Sequence, residues 1–187
     1  RNYLACCQYA NEDIDGFWTA LGLHYLKWQQ TPQSAIITDY PTNNHVWFPG
    51  GQLNLSDNCI DRHLMAGRAE QEALIWICED GDSHTYSYRQ LKEQVCIVAN
   101  ALRRYSIREG DVVAIYMPLI PEAIFSILAC NRIGAIPCML FTGLSGTALS
   151  KRIQQCAARL LISANSVLRN GQHIQLRKKT RHAQESL

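Results

Sequence analysis

A chain of 187 residues, 47% hydrophobic and 18% charged, has the make-up of one globular domain or slightly more, with enough apolar side chain for a sizeable core. No run of ~18 apolar residues is present, so no membrane-spanning helix is expected. A charged-then-apolar leader of the secretory type is also missing. The net charge of +2 hides an asymmetry: residues 1–122 carry 9 Lys/Arg and 15 Asp/Glu, whereas residues 123–184 carry 9 Lys/Arg and no acid. An acid-free basic half favours a polyanionic ligand, or an acidic protein surface against which it packs.

Two regions separate near residue 70. The first, 1–70, begins with Arg1 and reads as irregular. Phe17, Trp18, Leu21, Leu23, Leu26 and Trp28 form a rough helical stripe that Thr31-Pro32 should stop. Asp39 to Asn44 is rich in turn residues. Asn54 to Leu64 predicts a short helix with Ser56 as its N-cap. So little regular structure predicts an extension that wraps a larger body.

The second region, 71–187, alternates strand and helix signals. Leu74–Cys78 and Thr85–Tyr88 read as strands. Ser87-Tyr88-Arg89-Gln90 is a capping box, and it launches a helix with Leu91, Val95, Val98 and Leu102 on one face. Gly110-Asp111 turns the chain into Val112–Met117, a continuous apolar run of the kind found in sheets covered on both faces. Pro121 suits a first helical turn. The helix it opens is apolar nearly all round to Ile133, with Gly134 as its cap. Ile136–Phe141 is the next strand. Ser145 or Thr147 caps another helix with Leu149, Ile153 and Ala157 inward, and Leu160–Ser163 is a third apolar strand. This alternation predicts an α/β fold: a parallel sheet from about residue 74 with flanking helices and right-handed crossovers, preceded by the irregular, partly helical N-terminal extension. The C-terminus runs out in a polar, helix-like stretch, and both ends of the chain look cut from something longer.

Chemistry-bearing patterns are few. Of the eight cysteines, Cys78, Cys96, Cys130, Cys138 and Cys156 fall in apolar runs, and Cys6-Cys7 lacks zinc spacing, so reduced intracellular core thiols are expected. The histidines His24, His45, His63, His84, His173 and His182 show no ligand spacing. Asp61 and Arg62 read as hydrogen-bond anchors rather than as parts of a relay with His63. The turn Phe141–Gly146 stands between a strand and a helix, where α/β folds hold phosphates, but G-x-x-G without a following Lys-Ser/Thr fits close packing better. Arg169-Asn170-Gly171-Gln172, next to the basic run Arg177–Arg181, is the other phosphate candidate. A glycine there admits the backbone while a guanidinium forks the anion. The alternative is a turn followed by a solvated basic face.

The order of several motifs carries a resemblance. Phe17-Trp18, Trp28, Pro32, Trp47-Phe48-Pro49-Gly50-Gly51-Gln52-Leu53-Asn54 and Asn58 to His63 resemble the N-terminal extension of the short-chain acyl-CoA synthetases. Gly110 to Pro118, Ile120-Pro121-Glu122-Ala123 and Ala129 to Ala135 resemble the start of their adenylate-forming domain. The resemblance implies an N-terminal part of an AMP-forming acetate–CoA ligase. In that family, carboxylate and ATP give an acyl-adenylate and pyrophosphate, and CoA then displaces AMP. Propionate is the next substrate in line. A non-catalytic fragment that docks on an intact synthetase, and a small nucleic-acid-binding module, are rival readings; the second suffers from a lack of aromatics interleaved with the basic residues.

On this reading the parent enzyme uses ATP, CoA and Mg2+, and the chain alone binds none of them tightly. Its partners are the small-molecule substrates and the remainder of the synthetase, with no nucleic acid and no membrane. The compartment is intracellular, either the cytoplasm or the mitochondrial matrix. Within the chain the resemblance carries one site. Arg169, Gly171 and Gln172 fall where the family grips the CoA 3′-phosphate with an Arg-x-Gly-Arg/Lys turn, Gln172 replacing the second cation. No catalytic residue and no metal ligand is expected in the chain. Pro137-Cys138 and Thr142 are further departures from the family pattern.

Overall fold

A computed structural model describes residues 2–39, 41, 44–79 and 81–185. Tyr40, Thr42 and Asn43 of the predicted turn lie outside them. The chain divides into two compact units, Arg1–Asn58 and Cys59–Leu187.

The first unit has more regular structure than its sequence announces. Helix α1, Tyr3–Glu12, starts where the Asn2 side chain accepts the amide of Leu4, and it ends at Asp13. The Asp13 side chain then caps α2, Ile14–Tyr25, by accepting the Gly16 amide. Helix α2 stops short of the predicted Pro32 boundary. The Trp28 indole folds back and donates to the Gly22 carbonyl at 2.9 Å, and the Leu26 amide donates to the same carbonyl at 3.1 Å. Gly22 has no side chain to hold off the Phe48 ring packed on it. Strands β1, Ile36–Asp39, and β2, Asn44–Trp47, pair antiparallel, with Asp39 opposite Asn44. Asp15 fixes the start of β1 by accepting the amides of Ala35 and Ile36 at 2.8 and 3.1 Å.

The predicted helix near residue 54 is present with a different cap. Asn54, not Ser56, accepts the Asp57 amide at 3.2 Å, and Ser56 is fully buried. The helix widens to a π-turn at Asp57–Asp61 and tightens again as α3, Arg62–Met65.

In the second unit, β3, Glu72–Ile77, and β4, Ser83–Ser87, form an antiparallel hairpin of their own. The parallel sheet therefore begins at Val112, not near residue 74. A short tight connection can only reverse the chain, whereas parallel neighbours need a crossover. Ser87 and Gln90 form the predicted capping box, each side chain bonded to the other's backbone amide, at the start of α4, Tyr88–Arg104. Its buried stripe is Leu91, Val95, Ala99 and Leu102.

The sheet itself has the order β6-β5-β7, all parallel: β5, Val112–Tyr116, lies at the centre between β6, Ile136–Met139, and β7, Leu160–Ser163. Helix α5, Pro121–Arg132, with Pro121 in its first turn and Gly134 at φ +77° beyond its end, makes one crossover. Helix α6, Gly146–Gln155, capped by Ser145, makes the other. Ala157 is not on the inward face of α6. It lies past the helix end at φ +49° and is exposed. The amides of Ala157 and Ala158 donate to Gln154 and Ile153 carbonyls in a Schellman closure that a glycine usually makes.

Central strand β5 separates two cores. Val113 and Ile115 pack with α4 and α5 residues such as Val95, Leu102, Phe125 and Ala129. Ala114 and Tyr116 face Leu149, Ile153 and Leu176. A hairpin of β8, Ser166–Arg169, and β9, Gln172–Gln175, followed by α7, Leu176–Gln184, completes the chain.

Candidate functional site

The turn Arg169–Gln172 is built by backbone conformation. Asn170 and Gly171 have φ of +51° and +71°, which makes a two-residue hairpin loop whose twist matches that of the strands. Only glycine adopts this φ without cost, and asparagine tolerates it. Arg169 and Gln172 are cross-strand partners, so their side chains leave the same face of the ribbon. All three predicted residues, Arg169, Gly171 and Gln172, are brought together and exposed. The hairpin is anchored from behind: the Asn165 carbonyl accepts the amides of Leu176 and Arg177 at 2.9 and 3.1 Å.

The Gly171 amide points at an anion. It donates to the Glu79 carboxylate at 3.0 Å. Sequence reasoning missed Glu79, and no spacing signal links a residue 92 positions away to the turn. Arg169 also lines a cleft of about 480 Å³ with Trp76, Glu79, Leu119, Thr142 and His173. Trp76 is held there by stacking on His84 and by donating its indole N–H to the Leu119 carbonyl at 2.8 Å. Among the described residues, Arg169 has no carboxylate within ion-pair distance.

The second phosphate candidate, Phe141–Gly146, is filled by protein. The Tyr116 hydroxyl donates to the Thr142 carbonyl at 2.9 Å, and Lys179 donates to the same carbonyl at 3.2 Å. The space beside Gly143 is taken by the Phe141 ring, and that beside Gly146 by His182. These are the contacts of a tight helix-on-sheet turn. The basic run Arg177–Arg181 lies on α7, where Leu176 and Ala183 are buried and Arg177, Lys178 and Arg181 are exposed.

Asp61 is an anchor, as its sequence context implies. Its carboxylate takes Arg132 in a two-pronged contact at 2.7 and 3.0 Å and Lys92 at 2.9 Å. Burial pushes its acidity down, but the hydrogen bonds and charges of Arg132 and Lys92 outweigh it and hold the carboxyl at about 2. His63 stacks on Tyr88 with ring centroids 4.6 Å apart, and burial with nearby Arg62 and Arg68 lowers its pKa, which fits a surface-packing histidine. Among the described residues no group of three His, Cys, Asp or Glu side chains gathers to hold a metal ion. Nor is any helix there long and apolar enough to cross a membrane.

Two family profiles match the chain in tandem. The one described as "Acetyl-coenzyme A synthetase N-terminus" covers residues 3–59, and the one described as "AMP-binding enzyme" covers residues 62–186. Curated relatives agree. An acetyl-coenzyme A synthetase of Laribacter hongkongensis is 42% identical over 175 residues, covering 94% of this chain and 26% of the relative. An acetyl-coenzyme A synthetase 2 of Pseudomonas putida is 46% identical over 168 residues, covering 89% and 26%. One from Methylobacillus flagellatus is 40% identical over 183 residues, covering 98% and 28%. The chain thus spans about a quarter of the length of these relatives.

Proposed function

Because the chain belongs to the AMP-binding enzyme family and its two matched segments correspond to the N-terminal part of acetyl-CoA synthetase, we propose that it serves as the front of an acetate–CoA ligase. The observation that carries this reading is the tandem order of the two matches, extension first and AMP-binding segment second, over nearly the whole chain. Residues 1–70 act as the synthetase-type extension and residues 71–187 as the first, incomplete part of the adenylate-forming domain. The full enzyme joins acetate to CoA with conversion of ATP to AMP and pyrophosphate. Propionate is the competing substrate, to be separated by comparing kcat/KM for the two acids in the longer protein. ATP, CoA and Mg2+ belong to that protein, and no residue of this chain is assigned to Mg2+ or to a catalytic step. The free cysteines suit a reducing intracellular compartment.

Within this reading, Arg169 contacts the CoA 3′-phosphate, with Gly171 and Gln172 shaping the turn beside it. The exposed guanidinium, the left-handed turn and an amide already directed at an anion support the assignment. The Glu79 carboxylate must give way to a phosphate there, since like charges at contact oppose each other. A charge-assisted contact contributes ~1.5–3 kcal/mol. Arg169→Ala in the synthetase carrying this segment should therefore raise the KM for CoA roughly tenfold or more. The KM for ATP and for acetate should barely move, and dephospho-CoA should be used equally by both proteins. Equal weakening for CoA and dephospho-CoA, or no change for either, overturns the assignment.

A further inference from the structure

The Arg169–Gln172 turn offers an anion two donors, and one of them is taken by protein. The Gly171 amide donates to the Glu79 carboxylate at 3.0 Å, whereas the Arg169 guanidinium has, among the described residues, no carboxylate within ion-pair distance. Glu79 reaches the turn from the loop that joins β3 to β4. That loop is closed by its own backbone: the Cys78 amide donates to the Asp82 carbonyl at 2.7 Å, and the Gly81 amide donates to the Cys78 carbonyl at 3.1 Å. Glu79 and Gly171 are both exposed, so the long Glu79 side chain can turn away from the amide while the loop keeps its own hydrogen bonds.

The charge of this carboxylate stands out in its surroundings. Among the described residues that line the cleft in front of Arg169, Glu79 is the single acid. It comes from the acidic part of the chain, because residues 123–184 carry no acid. Gln172, the cross-strand partner of Arg169, is neutral and adds no second cation to offset it.

Given the reading of Arg169 as the contact for the CoA 3′-phosphate, on which this rests, we propose that Glu79 is a specificity-determining residue whose carboxylate competes with a phosphate monoester for the Gly171 amide. A phosphate oxygen that takes the amide displaces a carboxylate bonded to the same proton. The displaced charge stays tethered beside the cleft and opposes the phosphate dianion. A ligand of the same shape without that phosphate leaves the bond between Glu79 and Gly171 intact. Glu79 therefore narrows the preference for the phosphorylated ligand that Arg169 creates, and attraction and repulsion together set the discrimination. A residue that merely braced the turn would act with the opposite sign, since its loss would weaken the phosphorylated ligand.

The test is run in the synthetase that carries this segment, with CoA and dephospho-CoA as the two probes. Glu79→Gln keeps the length and an acceptor oxygen and removes the charge. It should lower the KM for CoA roughly two- to fivefold, as expected for exposed charges. The KM for dephospho-CoA should stay where it is, and the gain for CoA should fade as ionic strength rises. Arg169→Ala, measured alongside, separates the two assignments. If Arg169→Ala erases the discrimination between the cofactors and Glu79→Gln leaves it untouched, the Arg169 reading stands and the competitor is overturned. If Arg169→Ala does not affect the discrimination, that reading falls and the competitor falls with it. A KM for CoA that rises in Glu79→Gln, or that falls equally for both cofactors, also overturns the proposal. In the 187-residue chain itself, the Gly171 amide proton should move upfield in the NMR spectrum of Glu79→Ala. An unmoved resonance would show that carboxylate and amide do not meet, and would overturn it as well.

Discussion

The two units are held together by different chemistry. Residues 59–185 have two aliphatic cores on either side of a central strand, with Val113, Ala114, Ile115 and Tyr116 fully buried. Residues 2–58 bury few side chains. There, α1 has no buried residue, and Tyr3, Leu4, Tyr25 and Leu23 are exposed. Their order comes from point contacts. Tyr9, Phe17, Trp18 and Trp47 form a chain of edge-to-face rings, Asp15 ties down the start of β1, and Asn58 exchanges hydrogen bonds with the Lys27 backbone at 2.8 and 2.9 Å. A region built on area loses stability in proportion to volume removed, whereas one built on directed bonds loses it bond by bond.

Mutations placed in one unit or the other test that contrast, with the tryptophans as separate reporters: Trp18, Trp28 and Trp47 for the first unit, Trp76 for the second. The largest effect is expected in the core. Leu149 is fully buried among Tyr116, Leu176 and Ala183, so Leu149→Ala should cost the second unit about 3–4 kcal/mol in urea unfolding followed through Trp76. A loss below 1 kcal/mol would mean that this core is loosely packed.

Next comes the Asp61 cluster. Its side chain is 13% exposed, and its carboxyl is held at about 2 against an ordinary value near 3.8. A depressed folded-state pKa stabilises above the unfolded value and is lost as pH falls toward the folded one. About 2 kcal/mol of stability should therefore disappear between pH ~4 and ~2. Asp61→Asn should flatten that slope and cost about 3 kcal/mol at neutral pH, because Arg132 and Lys92 lose their shared partner. An unchanged pH profile in the variant would remove Asp61 from the account.

A smaller effect falls on the first unit. Asn58→Ala deletes both bonds to the Lys27 backbone and should lower the transition seen by Trp18, Trp28 and Trp47 by about 1–2 kcal/mol while leaving the Trp76 transition in place. Coincident shifts in both reporters would show that the two units unfold together. The smallest change is a gain. Ala157 holds φ +49° at the end of α6, so Ala157→Gly should stabilise the second unit by about 0.5–1 kcal/mol.

How much of this the sequence disclosed follows the same divide. The strand–helix alternation from Val112 to Ser163, the capping box at Ser87 and the buried strand β5 were all legible, because apolar periodicity reports burial and burial dominates that unit. The β1–β2 pair, helix α1 and the Asn54 cap were not, because isolated side chain-to-backbone bonds and four-residue strands leave no periodic trace. The independence of the β3–β4 hairpin was hidden for another reason: apolar runs show strands but not their direction or partners. At the candidate site, Arg169–Gln172 was visible as a glycine turn beside a basic run, and the CoA assignment of Arg169, Gly171 and Gln172 came from the family resemblance. Glu79 came from a distant loop and could be found only in three dimensions.

The proposed function makes this chain the front of an acetate–CoA ligase, with no adenylation chemistry of its own. Adenylation requires the triphosphate and its metal to be held with developing charge stabilised at the reacting phosphorus. The direct measurement is acetate-dependent ATP–pyrophosphate exchange, run on the purified chain and on the longer protein carrying it. The account predicts exchange in the longer protein and none above buffer for the chain alone. Exchange by the chain alone, or a longer protein that activates no acetate, would contradict it.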